Sequence, residues 1–221
     1  MSESDRAEVA ERAARAGAEV AMETFRTGID VETKSGKTDV VTQADRDAQE
    51  RTMAVIHEHF PGETIVGEEG DQEKSVPSSG AAWIVDPIDG TSNYVRGIRT
   101  WATSVAAVVD DDAVAAATVL PAEGDTYLAD ESTATLNGEV MSVSERTDPD
   151  TFAVIPTMWW PLEKREEYAA AFEAIVKRFG DPRRMGCAQA ELGMLASGQV
   201  EGVITNRYVY PWDTVAGVHL V

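Results

Sequence analysis

This sequence has a single cysteine, few basic residues and no long apolar run. Cys187 stands alone among 221 residues, which excludes an internal disulfide framework and is typical of a reducing cytosol. No stretch reaches the length needed to cross a membrane, and the N-terminal "MSESDRAEVAERAARAG" lacks the apolar segment of a signal peptide. We therefore predict a cytoplasmic protein with no membrane partner.

Basic residues are outnumbered, since 19 Lys and Arg face 39 Asp and Glu and the formal net charge is −20. This charge repels nucleic acid and anionic membrane surfaces, so neither is expected as a partner. Only five of the basic residues are lysine. An acid-rich, lysine-poor surface is typical of a halophilic protein, because concentrated salt screens the self-repulsion. An ordinary acidic protein is the alternative.

Repeats, low-complexity segments and obvious linkers are also absent, so we expect one domain over residues 1–221, with two sub-layers of approximately 1–150 and 151–221. Helical periodicity predicts helices over residues 5–27, 42–60, 162–179, 187–198 and 211–221. Short apolar runs predict strands at "TIVGEE", "AAWIVDP", "ATSVAAVV", "AVAAATVL", "DTYLAD" and "VEGVIT". A loop or hairpin is expected over 28–42, with tight turns at 110–112 and 137–138. This order predicts stacked layers of sheet and helix.

The stretch "WIVDPIDGTSNY", residues 83–94, carries two aspartates at the end of a predicted buried strand. A desolvated carboxylate is costly without a partner. A turn with Asp86 and Asp89 at positions i and i+3 directs both carboxylates to one side and can aim the Ile88 carbonyl between them. Because Mg²⁺ prefers such oxygen ligands, the turn is a candidate metal site.

The residues that follow this turn can bind an anion. Gly90 allows a ligand to approach the backbone closely, and the free amides of a short helix starting at Thr91 can hold a phosphate. Asp, Pro and Gly are also common in plain surface turns, which is the alternative for this motif taken alone.

Four other acidic residues are weak candidates individually. Glu68 and Glu69 end the predicted strand "TIVGEE", and the alternative to a functional role is that both are solvated glutamates in a loop. Asp213 opens the last helix, where a carboxylate can merely complement the helix dipole. Thr42 and Asp45 fit a helix capping box.

In combination, "GEE", "WIVDPIDGTSNY" and "PWDTVAG" resemble the inositol monophosphatase family of Mg²⁺-dependent, lithium-sensitive sugar phosphatases. "DVVTQAD" resembles an earlier motif of that family, and "RRMGCAQAELGMLASGQVEG" its helix before the last motif. The resemblance implies an α/β (α+β layered) fold, a five-layer αβαβα sandwich, and usually a homodimer. The chain ends at "GVHLV", where the family normally continues, so we expect a shortened C-terminal part with a less rigidly placed final aspartate.

The resemblance also implies roles for particular residues. Two or three Mg²⁺ ions would be held by Glu68, Asp86, Asp89, Asp213 and the Ile88 carbonyl. The attacking water would be oriented by Glu68 and Thr91, with Asp45 near the same water network. The substrate would be bound by Gly90, Thr91, Lys34, Gly186, Cys187 and Asn206. Glu69 would support the ligands from behind.

The implied activity is hydrolysis of a small sugar or polyol phosphate such as inositol 1-phosphate, by a metal-activated water. Fructose-1,6-bisphosphatase or dual activity is the alternative within the family, because Asn206 stands where its inositol phosphatases commonly carry a glutamate. A non-catalytic protein that binds phosphate ligands is the alternative from another class, although no motif carboxylate is missing. Cys187 is expected to be a packed residue near the phosphate rather than a nucleophile.

Overall fold

A mixed sheet lies at the centre of the fold in this computed structural model, which describes residues 3–27, 31–33, 40–158 and 160–221. The described residues form strands β1 (Val31–Thr33), β2 (Val40–Thr42), β3 (Thr64–Gly67), β4 (Ala81–Asp89), β5 (Ala102–Val109), β6 (Asp112–Leu120), β7 (Asp125–Ala129), β8 (Ala134–Leu136), β9 (Glu139–Val140), β10 (Ala153–Pro156), β11 (Asp181–Pro182) and β12 (Gly202–Ile204). They also form helices α1 (Glu3–Thr24), α2 (Gln43–His59), α3 (Thr91–Val95), α4 (Arg165–Arg178), α5 (Ala188–Ala196) and α6 (Pro211–Leu220).

The large sheet has the strand order β3-β4-β5-β6-β7-β8-β9. The β3–β4 pair is parallel, and the other pairs in this sheet are antiparallel. A second, parallel sheet has the order β11-β10-β12, and β1 and β2 form an antiparallel hairpin. Of the loop or hairpin predicted over 28–42, the antiparallel strand pairing agrees with the hairpin, while residues 28–30 and 34–39 lie outside the described part of the chain.

Both faces of the central strands β4, β5 and β6 are buried over most of their length, as their apolar runs predict. Along β4, Trp83 and Val85 pack in the core beneath α1 and α2. Ile84, which points the opposite way, packs with Trp212 of α6. Gly17 allows α1 and α2 to lie close together, because a Cβ there would stand 2.2 Å from the Thr52 hydroxyl.

The helices and sheets alternate in five layers. Helices α1 and α2 cover one face of the large sheet, and α5 and α6 lie on the other side of it. The β11-β10-β12 sheet follows, since β12 contacts α5, and α4 packs on β10 and β11. The predicted αβαβα sandwich is confirmed.

The elements that sequence periodicity missed are short. Strands β8 to β11 have two to four residues each, too few to show an alternating pattern. The predicted turns at 110–112 and 137–138 are confirmed, because Asp110, Asp111 and Asn137 adopt positive φ angles between paired strands. In the described residues, no helix combines the length and the apolar character needed to span a membrane.

Candidate active site

Strand β4 continues to Asp89 instead of ending in the turn that we predicted after Asp86. Asp86 pairs with Ser104 of β5 and Asp89 with Ala102, so three steps along β4 match two along β5. The extra residue in β4 creates a β-bulge between Asp86 and Asp89. Pro87 lies in this bulge, where its lack of an N–H costs no hydrogen bond between the strands. In a regular strand, residues three apart lie on opposite faces, and the bulge brings the two aspartates to the same side. The prediction of a turn after Asp86 is therefore wrong. The predicted result, two carboxylates on one side, is nevertheless produced by the bulge.

Asp86 lies at the centre of the acidic residues. Its side chain is 2% exposed, and within the described residues its Oδ1 has no hydrogen-bond partner. Burial raises the pKa of Asp86 well above its ordinary value, and the neighbouring carboxylates raise it further. These neighbours are Glu68, Asp89, Asp213 and Asp45. Four segments of the chain therefore meet at one buried carboxylate.

The parallel pairing of β3 with β4 brings Glu68 to this centre. Gly67 at the end of β3 pairs with Val85, the residue before Asp86. Glu68 is partly exposed, whereas Glu69 is buried. The backbone of Glu69 is bound on both sides by Gln49 of α2, which donates to its carbonyl at 2.8 Å and accepts from its N–H at 2.9 Å. Glu69 is thus fixed in the interior by Gln49, while Glu68 lies close enough to Asp86 for its charge to raise the pKa of that carboxyl.

Asp45 belongs both to a helix cap and to the site. Its Oδ2 accepts hydrogen bonds from the Thr42 N–H and hydroxyl, each at 2.7 Å, so the predicted capping interaction is present. Its Oδ1 lies 3.3 Å from the Thr91 hydroxyl, which also lies 3.0 Å from the Ile88 carbonyl. Burial raises the pKa of Asp45 to about 7, although the Thr42 hydrogen bonds lower it.

Asp89 is held by the first turn of α5. Its Oδ2 accepts hydrogen bonds from the Cys187 thiol at 3.0 Å and from the Gln189 N–H at 2.7 Å. Burial raises the pKa of Asp89 to about 7, while these two hydrogen bonds lower it. Burial, followed by the charge of Asp89, raises the pKa of Cys187 well above its ordinary value. Such a thiol is a poor nucleophile, as expected for a packed residue.

Two glycines let this turn approach the bulge. Gly90 has a φ of 82°, and a Cβ there would lie 3.1 Å from both the Cys187 Cβ and the Gly186 carbonyl. Gly186 itself has a φ of 82°. Larger residues at either position would be strained and would separate Asp89 from α5.

Of the remaining predicted residues, only Asp213 is connected with the central carboxylates, because its charge raises the pKa of Asp86 and of Asp89. Asp213 is in the first turn of α6, and its Oδ2 accepts from the Tyr210 N–H at 3.0 Å. Asn206 is exposed and donates to Glu167 of α4 at 2.6 Å. Lys34 lies outside the described residues.

The donor set fits a hard divalent cation. Carboxylates and a backbone carbonyl are the ligands that Mg²⁺ prefers, and the unpaired Asp86 Oδ1 is a buried acceptor that lacks a positive partner. Within the described ranges, no three His, Cys, Asp or Glu side chains form a ready-made ligand group. Like-charged carboxylates repel one another until a cation neutralises them, which is consistent with a looser arrangement.

Sequence reasoning missed two residues that shape the site. Gln49 lies one helical turn after Asp45, and this spacing alone could have placed it on the same face of α2. Lys74 donates to the carbonyls of Gly67 at 2.8 Å and Glu68 at 3.0 Å, which fixes the end of β3. The only signal for it in the sequence is a lysine six residues after Glu68.

Comparisons with known proteins agree with this geometry. The profile of the inositol monophosphatase family matches residues 2–221. The fructose-1,6-bisphosphatase/inositol-1-monophosphatase of Thermotoga maritima is 34% identical over 193 residues, which cover 86% of this chain and 71% of that protein. The inositol-1-monophosphatase of Bacillus subtilis is 31% identical over 207 residues, which cover 93% of this chain and 77% of that protein.

A solved structure of the Thermotoga maritima IMPase superimposes with a TM-score of 0.87 at 30% identity, covering 98% of this chain and 82% of that one. The chain spans 65% to 77% of the length of the first relatives that it matches. On the profile match and these identities, the chain belongs to the inositol monophosphatase family, whose members are phosphoric monoester hydrolases.

Proposed function

We propose that this chain is a Mg²⁺-dependent phosphatase acting on the monophosphate ester of a small sugar or polyol, such as inositol 1-phosphate. The observation that carries the proposal is the buried Asp86, whose Oδ1 has no hydrogen-bond partner among the described residues and whose neighbours are other carboxylates. Such a concentration of buried negative charge is costly without cations. The family and the names of the relatives support the same class of reaction.

In this proposal, Mg²⁺ is held by Glu68, Asp86, Asp89, Asp213 and the Ile88 carbonyl. When bound, Mg²⁺ supplies an acidic water and neutralises phosphoryl oxygens. Carboxylates on three different elements can offer separate oxygens to more than one ion, as expected for a site that holds two or three.

The attacking water is oriented by Glu68 and by the Thr91 hydroxyl. Thr91 can donate to Ile88 or to Asp45, which leaves the lone pairs of its oxygen for a proton of that water. As the water oxygen bonds to phosphorus, its proton passes to Glu68 or, through Thr91, to Asp45. The ester oxygen leaves with the electron pair of the broken P–O bond and takes a proton from solvent.

The phosphate is bound at the bulge and the first turn of α5. The Gly90 and Thr91 amides open α3, where amides have no intrahelical acceptor. Gly186 and Cys187 lie against Gly90 from the other side. Lys34 and Asn206 complete the proposed substrate contacts, and Glu69 supports the site through the backbone held by Gln49.

Fructose 1,6-bisphosphate is a second candidate substrate. The Thermotoga maritima relative carries both activities in its name. Asn206 lacks the negative charge that would repel a second phosphate, and Arg207 is the next residue in the chain.

The decisive experiment measures phosphate release from inositol 1-phosphate, fructose 1,6-bisphosphate and a nucleotide 3′-phosphate, with Mg²⁺ and with EDTA. We expect Mg²⁺-dependent hydrolysis of one or both sugar substrates. Binding of these ligands without phosphate release would support the non-catalytic alternative, and hydrolysis that persists in EDTA would contradict the metal assignment.

The proposal includes a cytoplasmic homodimer that works in concentrated salt. The single cysteine, the net charge of −20 and the scarcity of lysine support the location and the salt adaptation. Light scattering and activity in low and molar KCl test both features. A monomer, or a protein most active without salt, would contradict them.

A further inference from the structure

Glu191 of α5 is a buried carboxylate that the proposed reaction does not use. Its side chain is 1% exposed, and its Oε1 accepts the N–H groups of Met185 at 3.0 Å and Gly186 at 2.9 Å. Its Oε2 accepts a hydrogen bond from the Thr157 hydroxyl at the end of β10. One carboxylate therefore joins α5, the end of β10 and the segment before α5.

Asn93 of α3 holds the same segment from the opposite side. Its Nδ2 donates to the Met185 carbonyl at 2.8 Å and to the Thr100 carbonyl at 2.7 Å. The Met185–Gly186 segment thus gives its N–H groups to Glu191 and a carbonyl to Asn93. We call this arrangement, formed by Glu191, Asn93, Met185 and Gly186, the peptide clamp.

The peptide clamp ends where the hydrogen bonds to Asp89 begin. Gly186 is followed directly by Cys187 and, two residues later, by Gln189, and both donate to Asp89 Oδ2. The Asp89 carboxylate also satisfies a first-turn amide of α5, a favourable place for a negative charge. A shift of Met185 and Gly186 would move both donors away from Asp89.

We infer that Glu191 is a positioning residue for Asp89: by fixing Met185 and Gly186 it holds the Cys187 thiol and the Gln189 amide against Asp89 Oδ2, and so sets the orientation in which Asp89 meets Mg²⁺. This inference rests on the proposed function for the role of Asp89. Partners that orient a metal ligand typically change metal affinity by about 10- to 100-fold when they are removed.

Mg²⁺ binding measured by calorimetry on the full chain, without substrate, tests the inference. Glu191→Ala should weaken Mg²⁺ binding by about tenfold or more. Glu191→Gln should stay within about twofold of wild type, because its amide oxygen still accepts the two N–H groups and its NH₂ can donate to Thr157. If Glu191 acted on Mg²⁺ through its negative charge, Glu191→Gln would weaken Mg²⁺ binding as Glu191→Ala does, because both variants lack that charge.

Glu201→Ala is the matched control for loss of a buried structural carboxylate. The Glu201 side chain is 4% exposed, and it accepts from the Ala153 N–H at 2.6 Å and from Arg146 at 2.7 Å. This control should lower the thermal unfolding temperature and leave Mg²⁺ affinity unchanged. Asn93→Ala tests the peptide clamp from its other side, and it decides the matter if Glu191→Ala does not fold.

Wild-type affinity in Glu191→Ala, or an equal loss in Glu201→Ala, would overturn the inference. Phosphate release by wild type is measured in parallel. If wild type binds Mg²⁺ but hydrolyses no substrate, the proposed function fails and the inference is judged by binding alone. If wild type binds no Mg²⁺, both fail.

Discussion

The Thr91 hydroxyl lies 3.3 Å from Asp45 Oδ1, although the two residues are 46 positions apart. The contact joins the first residue of α3 to the first turn of α2. Because a hydroxyl has one proton, Thr91 donates either to Asp45 or to Ile88 and keeps its lone pairs for another donor. That is the hydrogen-bonding capacity needed to orient a water.

Replacing this hydroxyl should affect catalysis more than folding. We expect Thr91→Val to lower kcat by about 10²-fold or more, the range of general acid–base contributions. Thr91→Ser keeps the hydroxyl and should remain within about tenfold of wild type. Steady-state kinetics check the pair, and equal kcat values for Val and Ser would refute the role of the hydroxyl.

Asp86→Asn should abolish most activity without unfolding the protein. The substitution keeps the shape of the side chain but removes one charge from a cluster of repelling carboxylates. Without Mg²⁺, the variant should unfold at the same temperature as wild type or above it. Thermal unfolding and phosphate assays, each with and without Mg²⁺, measure both effects.

Asp112→Asn is the control for this comparison. Asp112 is exposed at the start of β6, so its charge should contribute neither to Mg²⁺ binding nor to turnover. If Asp86→Asn still hydrolyses substrate near the wild-type rate, Asp86 is not a metal ligand.

The two glutamates after β3 should differ sharply. Burial raises the pKa of Asp86 most, and Glu68 raises it most among the neighbouring charges. Glu69, in contrast, is buried and its backbone is bound by Gln49. Glu68→Gln should therefore lower kcat much more than Glu69→Gln does. Kinetics of the two variants at saturating Mg²⁺ test this, and the reverse order would mean that the wrong glutamate is assigned to the metal.

Much of this site was predictable because its residue types have few other uses. Asp86 and Asp89 follow an apolar strand, where an acidic side chain needs a cation or a hydrogen-bond donor. Thr42 and Asp45 were predicted as a helix cap from spacing alone, and the cap is present. Local chemistry was enough in these cases, since each pair lies within four residues.

The long-range contacts were not predictable from the residues themselves. Cys187 and Gln189 meet Asp89 across 98 and 100 positions, and no local pattern states which helix start will face a given carboxylate. The bulge after Asp86 depends on the register between β4 and β5, which is set by the packing of the sheet. Glu191 appeared as an ordinary polar residue in a helix because its partners lie in other elements.

Asn206 should broaden substrate specificity. We expect wild type to hydrolyse fructose 1,6-bisphosphate at least comparably to inositol 1-phosphate. Asn206→Glu should shift the ratio of kcat/KM values towards inositol 1-phosphate, because a carboxylate bonds hydroxyls strongly and repels a second phosphate. The substitution is best made together with Glu167→Gln, since Glu167 accepts from Asn206 and would repel a glutamate there. An unchanged ratio would remove Asn206 from the substrate contacts.

Stability without Mg²⁺ should fall as the pH rises from 5 to 8. Burial raises the pKa of Asp45 from an ordinary 3.8 to about 7 in the folded chain. Between these values the folded state holds a proton that the unfolded state has lost, so raising the pH favours unfolding. The loss should be on the order of a few kcal/mol, and Asp89, with a pKa raised to about 7, acts in the same direction.

Urea unfolding at pH 5 and pH 8 in EDTA measures this dependence, and Asp45→Asn isolates the contribution of Asp45. The variant cannot ionise at this position, so its stability should change less between the two pH values. His219 works in the opposite direction, because burial lowers its pKa and its neutral folded form gains stability as the pH rises. Its contribution is common to wild type and variant and cancels in the comparison. Mg²⁺ at pH 8 should restore wild-type stability, since it binds the ionised carboxylates of the folded state. The prediction is contradicted if wild type is more stable at pH 8 than at pH 5 in EDTA and Asp45→Asn shows the same pH profile. Asp45 would then not lower the stability of the folded chain as the pH rises.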